Sequence, residues 1–431
     1  MFFRTRLGIA LLCLSIFYFP IGGLASPPDS LRFSLDRAEI QFLRNNLDLL
    51  AQRYNIDATK ALEIQARLYP NPNFAIATAL YNPDAKKFFP TPLTNEGDLS
   101  GGISQTIVLA GKLNKNLKLA EANTRLSEYQ FYDLLRTLKY ALRTGFFNLY
   151  YLQESATVYQ LEIDNLQIVV KAYQSPDVKP YIAEKEIVRI KAQLAGLENE
   201  YQQLKDQIND VQSMLRLLIQ AKTGTVLVPE LNPSVVERED PLKYTLQTLT
   251  DSAYKGRSDL MIARTNTDIS RLNYTYQKAL AVPDLSASVS YDQQGSYVRN
   301  YSSLGVSMDL PFFNRNQGNI QSAKTGIKMN EISQQSMERT VEENVFRALQ
   351  RAVDADLLYK KQDPALSADY TRLVMAAIAY YKKREMPLLE FLDFYDAYKQ
   401  NVLQINAIKF NKVSALEAVN FYTGGHFFNN Y

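Results

Sequence analysis

The chain has 431 residues, with 48 lysines and arginines against 45 aspartates and glutamates, one histidine and one cysteine. That balance leaves no electrostatic footprint for a nucleic acid. The lone histidine excludes a histidine-based acid–base or metal site, and the lone cysteine excludes an internal disulfide framework.

Residues 1–25 read as a signal peptide. Arg4 and Arg6 make its positive start, Leu7 to Phe19 its apolar core, and Gly23-Leu24-Ala25 a small-residue cleavage site. Cleavage before Ser26 leaves 406 residues in which 46 basic side chains face 45 acidic ones. Cys13 lies inside the apolar core behind Leu12, poorly placed for a lipid anchor, so the mature chain is expected to be free of cysteine. No later apolar run approaches the ~20 residues of a membrane helix. If the mature chain enters a membrane, it must do so by strands.

From Leu31 to Leu68 the pattern is helical. Ser34 precedes Leu35, and Ala38, Phe42, Leu43, Leu47 and Leu50 form a stripe. A second helical run from Ala58 ends at Pro70, inside the breaker YPNPN at 69–73. Strands are expected at about 73–81 and 99–110, separated by a loop in which Lys86 and Lys87 read as solvated charges. Beyond Gly111 the period becomes helical, with no proline from Lys112 to Gln174. A single helix there would reach roughly 90 Å at about 1.5 Å per residue.

The region Leu135–Leu218 is two heptad arms folded back across Ser175, Pro176 and Pro180. The first arm steps by threes and fours through Leu135, Leu138, Leu142, Gly145, Leu149, Leu152, Ala156, Tyr159, Ile163, Leu166, Val170 and Tyr173, the second through Ile187, Ile190, Leu194, Leu197, Tyr201, Leu204, Ile208, Val211, Leu215 and Leu218. A 3.5-residue period keeps one apolar seam facing a partner helix, so these leucines are core. Residues 222–240 read as an extended linker.

The order then repeats. A helix runs from Pro241 to Ala279, strands fall at about 285–292 and 302–310, and a second hairpin spans 315–421 with a long helix to about Gln362 and a break near Lys382–Pro387. His426 is expected on the surface of a disordered tail, 425–431. Pro72 matches Pro283, Gly102 matches Gly305, Pro180 matches Pro387 and Gly224 matches Gly424, at offsets between 200 and 211 residues. A near-constant offset with a conserved element order is a duplication, with repeats at 26–221 and 241–424.

In the second strand pair Leu285, Ala287, Val289 and Tyr291 alternate with Ser286, Ser288, Ser290 and Asp292. Such alternation suits a membrane barrel with an aqueous lumen and equally a half-buried strand of a soluble sheet. Four strands cannot close a water-filled barrel, and open edges are not tolerated in lipid. Either the sheet is soluble, or several chains contribute to one barrel; three copies would bring twelve strands. Tyr81, Phe88, Phe89, Tyr297 and Tyr301 would then supply the aromatic belt, since the chain has no tryptophan.

Over essentially the whole mature chain this pattern resembles the TolC-like outer-membrane efflux protein family. The resemblance is carried by ARLYPNPNF (66–74), SQTIVLAGK (104–112), LPFFNRNQGNIQSA (310–323) and the duplicated helix–turn–helix ends. LPFFNRNQG is nearest to the branch serving cobalt–zinc–cadmium-type pumps. The resemblance implies a mainly α protein with a membrane β part: a homotrimer whose 12-stranded barrel, in outer-membrane lipid, continues into a periplasmic α-helical tunnel. It implies a passive channel with no cofactor and no catalytic set, partnered by a periplasmic adaptor and an inner-membrane pump of the RND type.

The turns would be tips meeting the adaptor, through Tyr173, Ser175, Pro176, Asp177 and Pro180 in the first and Tyr381, Lys383, Arg384, Glu385 and Pro387 in the second. The family tip usually carries glycine soon after the aromatic; Ser175-Pro176-Asp177 and Lys383-Arg384-Glu385 stand there instead, which bears on adaptor fit. Glu390 and Asp393 match the family's acidic constriction, although both residue types are also ordinary on a solvated coiled-coil face. Divalent metal cations are one class of cargo; a type I secretion or multidrug duct of the same fold is the alternative. A periplasmic coiled-coil adaptor fits less well, because it would carry one hairpin rather than two.

Overall fold

The computed structural model describes residues 29–94, 96–174, 184–232, 238–295, 297–362, 364–383 and 385–428. The signal-peptide reading and the turn residues Ser175, Pro176, Asp177, Pro180 and Arg384 lie outside them.

The first segment is not helix throughout. Ser30–Phe33 is a short strand, β1, before helices α1 (Leu35–Asn45) and α2 (Leu47–Arg67). Strands β2 (Asn73–Thr78), β3 (Tyr81–Asn82), β4 (Lys87–Phe88) and β5 (Leu99–Ile107) follow. Helix α3 runs unbroken from Lys112 to Tyr173, 62 residues or about 93 Å, and α4 (Glu184–Ile219) folds back along it. The expected linker then contains β6 (Val226–Pro229), which pairs in parallel with β1, Leu31 opposite Leu227.

The second half holds α5 (Leu246–Gly256), α6 (Ser258–Leu280), β7 (Leu285–Asp292), β8 (Tyr301–Met308), α7 (Gln317–Lys360), α8 (Pro364–Lys382) and α9 (Leu388–Thr423). The helix expected over 241–279 is therefore two helices. Residues 425–428 are docked: Asn420 donates to the Phe428 carbonyl at 2.7 Å and accepts from the amides of Phe427 and Phe428, and Phe428 is fully buried. His426 is exposed on that docked segment rather than on a disordered tail.

The breaks at Asn46 and Arg257, 211 residues apart, have one backbone form, φ −64° and ψ 122° against φ −77° and ψ 117°. Each reaches the end of its own half. Asn46 Nδ2 donates to the Leu218 carbonyl at 3.0 Å, and Arg257 Nη1 to the Tyr422 carbonyl at 3.4 Å. Those carbonyls belong to the last turns of α4 and α9, where no intrahelical donor remains. The Asn46 side chain also caps α2 by accepting from Leu49 N at 3.0 Å.

The heptad seam is buried as its period requires. Leu142, Leu149 and Leu166 face Ile190, Leu197 and Leu215, all nearly inaccessible. Gly145 occupies a seam position where a Cβ would lie 2.5 Å from Met214 Cε and 3.1 Å from Leu215 Cδ2, so a side chain there would displace the end of Met214 and press on Leu215.

The main sheet has the order β2-β5-β7-β8, all antiparallel. Register puts Phe74, Ile103, Val289 and Leu304 in one row, each more than half exposed, while Asn73, Ser104, Ser288 and Gly305 form a row on the opposite face. Among the described residues both outer edges, along β2 and β8, are unpaired. Helices α2, α3, α6 and α7 pack side by side in the order of the strands they run into, so the helical layer continues the sheet. Ala110 and Gly111 at φ 55° and 64°, and Asn316 at φ 59°, turn β5 and β8 into α3 and α7, which ends the strands earlier than expected. Among the described residues no helix is long and apolar enough to cross a membrane.

Candidate functional site

Helix α9 starts at Pro387, whose extended backbone (ψ 148°) fits the cap position. Its first turns are two-sided. Leu388, Phe391, Leu392 and Tyr395 are buried, whereas Glu390 and Asp393 are exposed and line an open hollow of about 530 Å³ with Pro387, Leu389, Phe394 and Ala397. The spacing of three brings the two carboxylates to one face of the helix. Glu390 also lies in the first turn, where the helix dipole favours a negative charge.

The buried side is an aromatic ladder. Tyr173 at the end of α3 meets Tyr381 of α8 at 5.9 Å, Tyr381 stacks on Phe391 at 4.3 Å and 7°, and Phe391 meets Tyr395 at 5.3 Å. Tyr381 is only 5% exposed, so it supports the turn from inside instead of presenting its ring to a partner. Burial, followed by the neighbouring Tyr173, raises its hydroxyl above the ordinary value. Lys383, Glu385 and Pro387 are exposed beside it, and Glu385 N donates to the Tyr380 carbonyl at 2.9 Å.

One turn further along α9 is a cluster absent from the sequence expectations. Lys399 is buried, with Nζ 3.0 Å from Glu200 Oε2 and 3.1 Å from Asp396 Oδ1, while Tyr159 donates to Glu200 at 3.1 Å. Glu162, 2% exposed, faces the same group, and its Oε1 is buried without a hydrogen-bond partner. Burial pushes the Glu162 carboxyl up to about 8; Lys399 opposes this, and Asp396 and Glu200 add to it. The signal was present in the spacing: Lys399 follows Tyr395 by four residues on the stripe through Leu388 and Phe391, and Glu162 falls between Tyr159 and Leu166 in the seam.

A second missed cluster ties α1, α3 and α9. Arg143 donates through Nε and Nη2 to the two carboxylate oxygens of Glu417 at 2.8 and 2.6 Å, and through Nη1 to Glu39, which also pairs with Lys139 at 3.0 Å. Burial alone would lower the Arg143 pKa, but Glu417 and Glu39 outweigh it and hold the guanidinium above its ordinary value. Among the described residues no group of three or more His, Cys, Asp or Glu side chains is arranged to hold a metal ion.

The fold defines a structural class: a four-stranded antiparallel sheet continued by a layer of long paired helices. Solved structures that share this fold include outer-membrane channels. The chain superposes on the Campylobacter jejuni CmeC outer membrane channel with a TM-score of 0.73 and 17% identity, covering 91% of this chain and 86% of that one. On CusC the TM-score is 0.71 with 15% identity, covering 91% and 92%. On the open state of the Neisseria gonorrhoeae MtrE outer membrane channel it is 0.68 with 15% identity, covering 91% and 89%.

In sequence the chain is similar to the cobalt-zinc-cadmium resistance protein CzcC of Cupriavidus metallidurans, 22% identical over 283 residues. That match covers 65% of this chain and 63% of the relative, just under two thirds of its length. No family model matches the chain. The chain has the TolC-like outer-membrane channel fold, here a four-stranded sheet continued by long paired helices, and in sequence it resembles a cobalt-zinc-cadmium resistance protein.

Proposed function

We propose that this chain is the outer-membrane channel component of a tripartite efflux system, a passive conduit assembled from three copies. The observation that carries the reading is the main sheet. Its exposed apolar face, its serine-rich opposite face and its two unpaired edges suit a lipid-facing wall, a wet lumen and closure through further copies. Because β2 and β8 run antiparallel, β8 of one copy can meet β2 of the next in the alternating sense of an up-and-down barrel of twelve strands.

In this reading two repeats, 26–221 and 241–424, supply two hairpins per copy. The paired breaks at Asn46 and Arg257 support the duplication. The turns after Tyr173 and Tyr381, with Lys383, Glu385 and Pro387, contact a periplasmic adaptor, and an RND-type inner-membrane pump supplies the energy. Glu390 and Asp393, three times over, place six carboxylates around one axis. Such a ring concentrates cations and repels itself, so partners can open it. Divalent metal cations are the cargo this reading favours, supported by the name of the curated relative.

The test is fractionation of cells expressing the full chain, followed by gel migration with and without boiling. Recovery in the outer-membrane fraction as a heat-sensitive trimer is expected. Recovery as a soluble periplasmic monomer would sink the channel reading.

A further inference from the structure

A cavity of about 360 Å³ lies between α3, the α5–α6 break and the carboxyl end of α9, and the channel reading gives it no role. Part of its wall is aromatic: Tyr132, Tyr140 and Phe421 line it, with Tyr140 stacked on Phe421 at 4.7 Å. Another part is cationic: Arg136, Lys139, Arg143 and Lys255 line it, with Glu417 as the sole carboxylate among the lining residues.

That carboxylate is already engaged, since both its oxygens accept from Arg143. The anions paired with Arg136 and Lys139, which are Asp133, Asp259 and Glu39, do not line the cavity. Lys255 is exposed and has no ion pair among the described residues. The wall therefore presents rings beside one cation, Lys255, that no carboxylate neutralises among the described residues. His426, exposed at the rim of the lining, is held below its ordinary value by partial desolvation and then by Lys139 and Arg143.

From this geometry we propose that the cavity binds a flat organic monoanion, an aromatic carboxylate whose ring lies against the exposed Tyr132 and whose charge is met by Lys255, the Phe421 ring being already covered by Tyr140 and by Arg136 at 4.4 Å. Metal cations would be repelled. Cavities of roughly 300–1,000 Å³ suit small molecules, so this one takes a ligand of one or two fused rings and no folded partner. Aromatic stacking and a charge-assisted contact act on different parts of the ligand, and each alone is weak.

The probe is 2-naphthoate, titrated calorimetrically into the full chain in phosphatidylcholine nanodiscs, with empty nanodiscs subtracted. One site per chain with Kd on the order of 10–100 µM is expected. The neutral analogue 2-naphthamide should bind about tenfold more weakly, and Lys255→Glu should weaken 2-naphthoate by at least about tenfold. Lys255 is exposed and unpaired, so this variant should keep the wild-type circular dichroism spectrum. Absence of binding at millimolar 2-naphthoate, equal binding of the neutral analogue, or wild-type affinity in Lys255→Glu would each overturn the assignment.

Discussion

Arg143 and Lys399 are both buried cations that join α9 to the first hairpin, yet their surroundings differ. Around Arg143 every guanidinium nitrogen has an acceptor, and the local charge is balanced: Arg143 and Lys139 face Glu417 and Glu39. Around Lys399 one cation meets Glu200, Asp396 and Glu162, and the deepest of these carboxyls stays protonated well above the ordinary carboxylate range. The balanced cluster lies toward the sheet, the unbalanced one toward the turns and the exposed carboxylates. A balanced buried cluster resists rearrangement because any shift strands a charge. An unbalanced one has a second state within reach, since ionising Glu162 places three carboxylates around one ammonium.

The largest expected effect is at the balanced cluster. Arg143→Met leaves Glu417 buried without its bidentate partner and should cost about 3–5 kcal/mol, seen as a lower melting temperature of the helical signal. Arg143→Met with Glu417→Leu should recover most of that loss, because Glu39 retains Lys139. If the single variant melts within about 0.5 kcal/mol of wild type, the cluster is not what holds α9 against α3 and α1.

The unbalanced cluster should show itself through pH. An acid whose pKa is raised on folding contributes stability that is complete below its unfolded value and is lost as pH rises through its folded value. For Glu162 the window runs from 4.5 to about 8. Glu162→Gln should therefore match wild type near pH 4 and become the more stable form toward pH 8, by up to on the order of 3 kcal/mol. Other carboxylates titrate in the same range, so the quantity to follow is the difference in melting temperature between variant and wild type across pH. A flat difference would mean that Glu162 is as well solvated as its neighbours, and the contrast between the clusters would collapse.

The legible parts of this chain were those in which one physical requirement repeats many times. The heptad seams recur over ten or more positions, and the serine–aliphatic alternation of β7 fixes its two faces without knowledge of its partners. Features depending on a single distant partner were hidden. The apolar stripe Phe42, Leu43, Leu47, Leu50 runs through Asn46 without a gap, so the break there is visible only once Leu218 offers its carbonyl. Strand β1 has four residues and becomes a strand only beside β6, and the docked segment after Gly424 needs Asn420 to hold it. The turn at Tyr381 was legible as an aromatic position but not as a buried one, because its stacking partner Phe391 lies across the break.

The exposed pair Glu390 and Asp393 is the third charged set on α9 and extends the comparison to a group with solvent on one side. Neither carboxylate has an ion pair among the described residues, so converting both to alanine should change the melting temperature by less than the equivalent of about 0.5 kcal/mol. Function is where the pair should register. If three copies bring these side chains to one axis, their mutual repulsion and their attraction for cations both scale with the charge removed. Glu390→Ala with Asp393→Ala should then raise single-channel conductance in planar bilayers and weaken cation preference, while Glu390→Gln with Asp393→Asn, which keeps the shape, should weaken the preference with little change in pore size. Equal conductance and selectivity in wild type and both variants would return these residues to a solvated coiled-coil face. Any adjustability of α9 would then have to be sought at Lys399 and Glu162 alone.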